Sequence, residues 1–189
     1  LTIFSSGGTY SHLVKSLEGK DYLPRLIEAS KYTGMPETDG GLVKTLHHKF
    51  FLGYLTETFS EQHQQDLQRE QAVPIDLVII DLYPFSEVRN KVGSTIEQCR
   101  GNIDVGGPSA LRAAAKNYLR VMTVPDYSPE NYESLIVQIN ANRGHTDLGM
   151  RRRAFGRTFE VLSQYDKEIA DFANNLNYED VEKMYNVHR

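Results

Sequence analysis

A length of 189 residues suits one domain, or one domain with a tail, and a composition of 40% hydrophobic and 24% charged residues excludes an intrinsically disordered chain. The net charge of −4, with no basic run longer than residues 151–153, argues against nucleic-acid binding, and no apolar run approaches the roughly 20 residues of a membrane span. The single cysteine, Cys99, excludes a disulfide within the chain, and we expect a reducing, cytoplasmic setting.

Short elements follow one another in the first part of the chain. In order, the patterns predict a strand at 1–4, a helix at 9–19, an extended piece at 22–30, a loop at 33–45 and an exposed helix at 60–71. Pro24 interrupts the extended piece, and Ser60 is the expected cap of the exposed helix. Residues 46–55 are apolar, and their period does not distinguish a helix from a strand.

The clearest pattern is IDLVIIDLYPF at residues 75–85, a near-continuous β-branched run that ends at Pro84. Such a run is typical of a strand buried on both faces of a parallel sheet. The elements predicted after it are a weak helix at 94–100, a helix opened by two glycines at 106–118, a strand at 120–127, helices at 128–142 and 147–173, and a polar, helical C-terminal tail. Because strands alternate with helices, the class is α/β with a mainly parallel sheet.

Open parallel sheets bind ligands at the carboxyl ends of their strands, and three loops of this sequence lie there. Hydroxyls and backbone amides at residues 5–9 suit a phosphate at a helix N-terminus, although ordinary glycine-rich turns look the same. Tyr83 follows the buried strand and is either functional or a boundary aromatic. Asp104 precedes Gly106 and Gly107, which permit close approach to the backbone, and its commoner use would be to cap the helix.

Other candidate residues have a simple structural interpretation as well. Lys44 lies in a glycine-rich loop and Lys116 lies near the end of the alanine-rich helix, where most lysines are only solvated. His47 and His48 resemble a metal pair, but adjacent side chains diverge and no third ligand at a suitable spacing is evident. Cys99 has no feature of a nucleophile.

Four segments occur in order and at matching spacings in one known family. They are SSGGT at 5–9, TGMPETDGGLVKTLHH at 33–48, DLYPF at 81–85 and IDVGGPSALRAAAKNY at 103–118. Together they resemble the IMP cyclohydrolase domain of bifunctional AICAR transformylase/IMP cyclohydrolase. The resemblance covers residues 1–173 and leaves residues 174–189 as a tail. It implies a methylglyoxal-synthase-like fold, in which a doubly wound, mainly parallel sheet is flanked by helices.

The resemblance also implies an activity and partners. The family closes FAICAR, a formamido-imidazole carboxamide ribotide, to IMP with loss of water in purine biosynthesis. The condensation is intramolecular, so the resemblance implies neither a cofactor nor a metal. Family members form homodimers. The stripe Phe155, Phe159 and Leu162 on the predicted helix at 147–173 is expected either to contribute to the dimer or to pack inside the domain.

Residue by residue, the resemblance assigns two sets of functional positions. The catalytic positions are Lys44, Tyr83, Asp104 and Lys116. The substrate- and phosphate-binding positions are Ser6, Gly7, Gly8, Thr9, Thr45, Asp81, Gly106 and Gly107. With these assignments Asp104 takes a proton or orients a neighbour, Tyr83 protonates the leaving oxygen, and Lys116 stabilises negative charge.

The sequence also departs from the family. The family's first strand and its Ser-Asp-Lys-Thr-Gly phosphate loop would precede residue 1, and we expect them to be missing from this sequence. Leu42 replaces an Arg, His48 a Pro, Asp81 an Asn and Tyr118 a His. Because Leu donates no hydrogen bond, weaker phosphate binding is expected. Two alternatives therefore stay open: a ribotide-binding or regulatory module without turnover, and a fragment of a longer bifunctional enzyme.

Overall fold

The computed structural model describes residues 1–36, 38, 43–126 and 128–187. The chain forms two compact units, Leu1–Ile75 and Asp76–Arg189, and each contains a pair of parallel strands with helices. The predicted α/β class with parallel strands is therefore confirmed. Where the sequence led us to expect one larger sheet, the described strands pair two by two. None of the described helices is both long and apolar enough to cross a membrane.

The first unit is built on a short parallel pair, β1 with β2, whose register runs from Ile3 opposite Leu26 to Ser5 opposite Glu28. A single 3₁₀ turn, Leu23–Arg25, leads into β2. The elements of this unit are β1 (Ile3–Ser5), α1 (Gly7–Leu17), β2 (Leu26–Glu28), α2 (Ala29–Thr33), α3 (His48–Leu55) and α4 (Glu61–Arg69).

Two helices of this unit show which features follow from the local sequence and which depend on tertiary contacts. The predicted cap of α4 is confirmed, because the Ser60 side chain accepts a hydrogen bond from the His63 N–H. The ambiguous residues 46–55 contain α3, whose Phe50 ring packs against Tyr32 with the ring centroids 5.2 Å apart. Tyr32 in turn lies 4.4 Å from Phe4 on β1. Aromatic contacts with distant segments stabilise α3. The hydrophobic period of residues 46–55 alone does not predict these contacts.

The second unit repeats the plan with a larger set of helices. Strands β3 and β4 are parallel, with Leu77 opposite Met122 and Ile79 opposite Val124. Its elements are β3 (Leu77–Ile79), α5 (Phe85–Asn90), α6 (Ile96–Gly101), α7 (Gly106–Lys116), β4 (Met122–Val124), α8 (Pro129–Ala141), α9 (Leu148–Asn174) and α10 (Tyr178–Val187). Ile79 remains 43% exposed, so β3 is less buried than its apolar sequence predicts.

Helices α7 and α9 pack against β4 and against each other to form the core of the second unit. Leu111 of α7 and Leu162 of α9 are almost completely buried. The apolar stripe of α9 therefore divides between the core and the surface. Leu162 belongs to the core, Phe155 stacks on Tyr118 with the centroids 4.9 Å apart, and Phe159 is 41% exposed.

A buried pair of hydroxyls connects α9 to β4 and gives a test of this packing. Thr123 and Thr158 are both buried, and their side-chain oxygens lie 2.8 Å apart. Thr158→Val should lower the free energy of unfolding by about 1–3 kcal/mol, because it leaves the Thr123 hydroxyl buried without its partner.

The double variant Thr123→Val/Thr158→Val should lose less than the sum of the two single variants, since no orphaned hydroxyl remains. The stability of the two single variants and the double variant is measured by urea unfolding monitored with circular dichroism. The exposed Thr58→Val is the control. Additive losses would show that the hydroxyl pair does not connect the two elements.

Candidate active site

The start of α1 offers an anion-binding arrangement in the first unit. Ser6 lies between β1 and α1 in an extended conformation (φ −137°, ψ 162°), and its side chain makes no capping hydrogen bond. Gly8 and Thr9 follow in the first turn and are exposed. The first N–H groups of a helix have no partner within the helix, and together with the helix dipole they attract an anion. The sequence prediction for residues 5–9 is therefore compatible with the local geometry.

Lys44 adds a positive charge to the same helix start. A Cβ atom built on Gly7 would lie only 2.9 Å from the Lys44 Nζ, so the ammonium group occupies the space that a side chain at Gly7 would fill. Gly7 also has a φ of +54°, which favours glycine. Within the described part of the chain, the Lys44 ammonium makes no hydrogen bond or ion pair. The structure thus brings Lys44 together with residues 6–9, and Thr45 is half-buried beside it in sequence.

Leu42, the position of the expected weaker phosphate contact, lies outside the described residues. The neighbouring histidines have other roles. The His47 Nδ1 accepts a hydrogen bond from the Lys49 N–H at the start of α3, and the His48 Nε2 lies 3.0 Å from the Glu70 Oε2. Burial lowers the pKa of His47, and the charges of His48 and Lys49 lower it further. No cluster of three potential metal ligands occurs among the residues that the structure describes.

In the second unit, the segment after β3 carries the candidate groups Asp81 and Tyr83. Both are exposed, and Tyr83 retains 51% of its surface. Leu82 between them packs against the buried cluster of Phe85, Cys99 and Tyr165. This alternation anchors the segment through Leu82 and leaves the carboxylate of Asp81 and the phenol of Tyr83 accessible.

The start of α7 lies directly against this segment. The Gly107 N–H donates to the Asp104 Oδ1 at 2.9 Å. A Cβ atom at Gly107 would lie 2.6 Å from the Asp104 Oδ2 and 3.0 Å from the Leu82 Cδ2. Gly107 is therefore required by close approach. The N-cap residue of α7 is Val105, and Asp104, one residue earlier, accepts a hydrogen bond from the first turn. This hydrogen bond occupies one carboxylate oxygen, while the Oδ2 makes no hydrogen bond to any described residue.

Tyr165 of α9 is a positioning residue that the sequence did not reveal. Its hydroxyl accepts a hydrogen bond from the Asp104 N–H at 2.8 Å and donates to the Asn102 carbonyl at 3.2 Å. Burial raises the pKa of Tyr165, with the hydrogen bond from Asp104 opposing the shift, so the phenol stays protonated. A tyrosine on an amphipathic helix is ordinary in sequence, and its separation of 61 positions from Asp104 hides the contact.

Lys116 is the predicted catalytic residue that the second unit does not bring to the others. It is exposed at the last position of α7, whereas Asp104 and Gly106 lie at the first. The rise of an α-helix places Gly106 and Lys116 roughly 15 Å apart along the axis. Within one chain, the second unit therefore brings the segment that contains Asp81 and Tyr83 against Gly107 and Asp104 through Leu82, with Lys116 at the other end of the helix.

The contrast between two adjacent glycines tests the arrangement at α1. Gly7→Ala should lower the free energy of unfolding by about 1–2 kcal/mol, because a left-handed conformation disfavours a side chain. The same Cβ displaces the Lys44 ammonium, and phosphate binding should weaken. Gly8 has open space around its Cα, so Gly8→Ala should be neutral or stabilise by up to about 1 kcal/mol. Thermal unfolding measures the stability of both variants. An equal change in stability for Gly7→Ala and Gly8→Ala would contradict the structure.

Removing the Tyr165 hydroxyl tests its positioning role. Tyr165→Phe leaves the Asp104 N–H and the Asn102 carbonyl without their shared partner, and the cost should be about 1–3 kcal/mol of unfolding free energy. Amide hydrogen exchange at Asp104 should accelerate, since its N–H loses its acceptor. Tyr178→Phe on the exposed surface is the control. Unchanged exchange at Asp104 would remove Tyr165 from the site.

Comparison with known proteins shows what this chain is similar to. The family model described as AICARFT/IMPCHase bienzyme matches residues 114–188. The bifunctional purine biosynthesis protein PurH of Rippkaea orientalis is 38% identical over 177 residues, which are 94% of this chain and 33% of that protein. PurH of Rhodopirellula baltica is 37% identical over 172 residues, 91% of this chain and 31% of that protein.

A solved structure extends the comparison from sequence to fold. The crystal structure of ForH superimposes with a TM-score of 0.68 at 25% identity and covers 89% of this chain and 84% of that chain. The chain spans about a third of the length of the curated relatives it matches. Over nearly all of its length the chain is similar to a part of these bifunctional purine biosynthesis proteins, and residues 114–188 match the AICARFT/IMPCHase bienzyme model.

Proposed function

We propose that this chain is an IMP cyclohydrolase, which closes FAICAR to IMP with loss of water. The observation that carries the proposal is the contact between Leu82, in the segment of Asp81 and Tyr83, and Gly107, whose N–H binds the Asp104 carboxylate. These residues stand in the segments that match the family, and the chain is similar to PurH proteins along nearly all of its length.

The ring closure needs proton transfers that these groups are able to perform. The carboxamide nitrogen of FAICAR attacks the formyl carbon, a C–N bond forms, and the formyl oxygen leaves as water. The attacking nitrogen and the formamido nitrogen each give up one proton. The Asp104 Oδ2, which has no partner among the described residues, is the proposed acceptor, and the exposed Tyr83 hydroxyl is the proposed donor to the leaving oxygen.

The first unit supplies the groups proposed to bind the ribotide phosphate. The start of α1 presents N–H groups with the hydroxyls of Ser6 and Thr9, and the Lys44 ammonium lies against Gly7. A cation beside a helix N-terminus favours a phosphate through both charge and hydrogen bonds. Lys44 is also proposed to act in the reaction itself, as the resemblance implies, with Thr45, Gly106 and Gly107 binding the substrate.

The remaining parts of the proposal concern the setting of the enzyme. We propose a cytoplasmic homodimer, with residues 1–173 as the cyclohydrolase domain and the rest as a tail that includes α10. The lone Cys99 is buried and free, which fits a reducing compartment. The chemistry we propose uses neither a cofactor nor a metal. The coverage of about a third of each PurH relative equally fits a part of a bifunctional protein.

Turnover of FAICAR is the direct test. The purified chain should convert FAICAR to IMP without added cofactor, as followed by ultraviolet absorbance. Tyr83→Phe and Asp104→Asn should each lower kcat by about 100-fold or more while IMP binding changes little, because their contributions arise in the transition state. Lys44→Ala should mainly weaken IMP binding, since it removes a charged phosphate contact.

Matched controls separate these effects from general damage. Tyr22→Phe, Asp21→Asn and Lys15→Ala change the same residue types at exposed positions and should leave turnover unchanged. If the wild-type chain bound IMP without converting FAICAR, the chain would be a ribotide-binding module. Wild-type kcat in both Tyr83→Phe and Asp104→Asn would remove these residues from the chemistry.

A further inference from the structure

A cleft of about 250 Å³ opens in the second unit at the carboxyl end of β4, between α8 and α9. None of the candidate catalytic or phosphate-binding residues is among the described residues that line it. The Ile80 N–H donates to the Val124 carbonyl at 3.0 Å, so the end of β4 lies beside the end of β3. Open α/β sheets bind ligands at the carboxyl ends of their strands. The space, which we call the β4 cleft, therefore lies where this class of fold binds ligands.

Two helix faces form the walls of the β4 cleft. Each helix contributes four positions spaced three, one and three residues apart, within 131–138 of α8 and 150–157 of α9. This spacing is one face of an α-helix. Small side chains, Ser134 in α8 and Ala154 in α9, stand among the larger ones and leave the space open. The walls are therefore parts of regular elements, which fix the positions of their side chains.

The floor of the β4 cleft is apolar and its rim is polar. Val124, Leu135 and Met150 line the cleft and belong to one buried cluster. At the rim, the Ser134 hydroxyl accepts a hydrogen bond from the Gln138 amide at 2.8 Å. An apolar lining with a few polar groups is typical of sites for small molecules. The composition of the cleft thus agrees with its position at the end of a strand.

One positive charge at the β4 cleft is not paired. Arg157 binds the Asp126 Oδ2 through its Nε at 3.1 Å and its Nη2 at 2.6 Å, so these two charges largely cancel. Arg153, the other cation of the lining, makes no hydrogen bond or ion pair with any described residue. The hydrogen bond from the Met150 N–H is the main cause that lowers the pKa of Asp147, and the charge of Arg153 contributes less. The Arg153 guanidinium is therefore available to an anion.

We propose that the β4 cleft is a binding site for a small carboxylic acid that carries one flat ring. The Arg153 guanidinium donates two parallel hydrogen bonds to the carboxylate, a geometry that its planar fork favours. The ring lies on the apolar floor of Leu135 and Met150, and Asn131 and Ser134 bind polar atoms of the ring. Sites for drug-sized ligands measure about 300–1,000 Å³, so a cleft of about 250 Å³ suits a single ring. The site is separate from the groups proposed to close FAICAR.

Nicotinate, a flat ring with one carboxylate, tests the proposal on the full chain. In nuclear magnetic resonance spectra of isotope-labelled protein, it should shift the amide signals of residues 131–138 and 150–157 in a saturable way, with a Kd of about 1 mM for a ligand of this size. Nicotinamide has the same ring without the charge and should bind about tenfold more weakly. No FAICAR is added, so the result does not depend on turnover. The absence of a saturable shift at about ten times the expected Kd would overturn the site.

Two pairs of variants locate the binding. Arg153→Gln should weaken nicotinate binding about tenfold, whereas Arg152→Gln removes the same charge at an exposed position outside the cleft and should not. Ser134→Leu should fill the cleft and abolish binding, whereas Ser163→Leu, at an exposed position of α9 outside the cleft, should leave binding unchanged. Thermal unfolding checks that all four variants are folded. Equal affinity of Arg152→Gln and Arg153→Gln for nicotinate, or wild-type affinity of Ser134→Leu, would overturn the proposal.

Discussion

The close approach of the Asp104 carboxylate to the backbone of Gly107 is the constraint on which the second unit's candidate site depends. Any side chain at position 107 would overlap both the carboxylate and Leu82. Because Gly107 has no side chain, the start of α7 contacts Leu82 in the segment that follows β3, which also contains Tyr83. Tyr165 then fixes the backbone of Asp104 from α9. The absent side chain of Gly107 thus lets the segment after β3 approach the start of α7, while Tyr165 of α9 binds the Asp104 backbone.

In the first unit a glycine at a helix start also makes room for a charged side chain, here a positively charged one. At the start of α1 a glycine again leaves room for the end of a charged side chain, here the ammonium of Lys44. The charge determines what each helix start is able to do. A cation added to free N–H groups favours an anion such as a phosphate, whereas a carboxylate that is only half used as a cap retains an oxygen for a proton. The similar local geometry therefore supports two different chemical roles.

Helix α7 serves as both core and surface, and its composition explains how. The small side chains of Ala110, Ala113, Ala114 and Ala115 are buried and allow β4 and α9 to pack closely on it. The few larger polar side chains, Ser109, Arg112 and Lys116, lie on one face that stays partly or fully exposed, and Arg112 pairs there with Asp166. The composition of the helix thus separates a face that packs in the core from a face that meets solvent.

The sequence by itself determined the α/β class, the order of most elements and the resemblance to PurH proteins, because these depend on local period, caps and motifs. The β-branched run at β3, the serine cap of α4 and the paired glycines before α7 are all local signals, and the structure contains each of them. Only the tertiary structure decided that residues 48–55 form a helix, that Ile79 stays partly exposed and that the described strands pair two by two. It also decided that Lys44 lies on Gly7 and that Tyr165 holds Asp104. Contacts between segments far apart in the chain arise from packing, which no local pattern encodes, and these contacts convert the predicted residues into a candidate site.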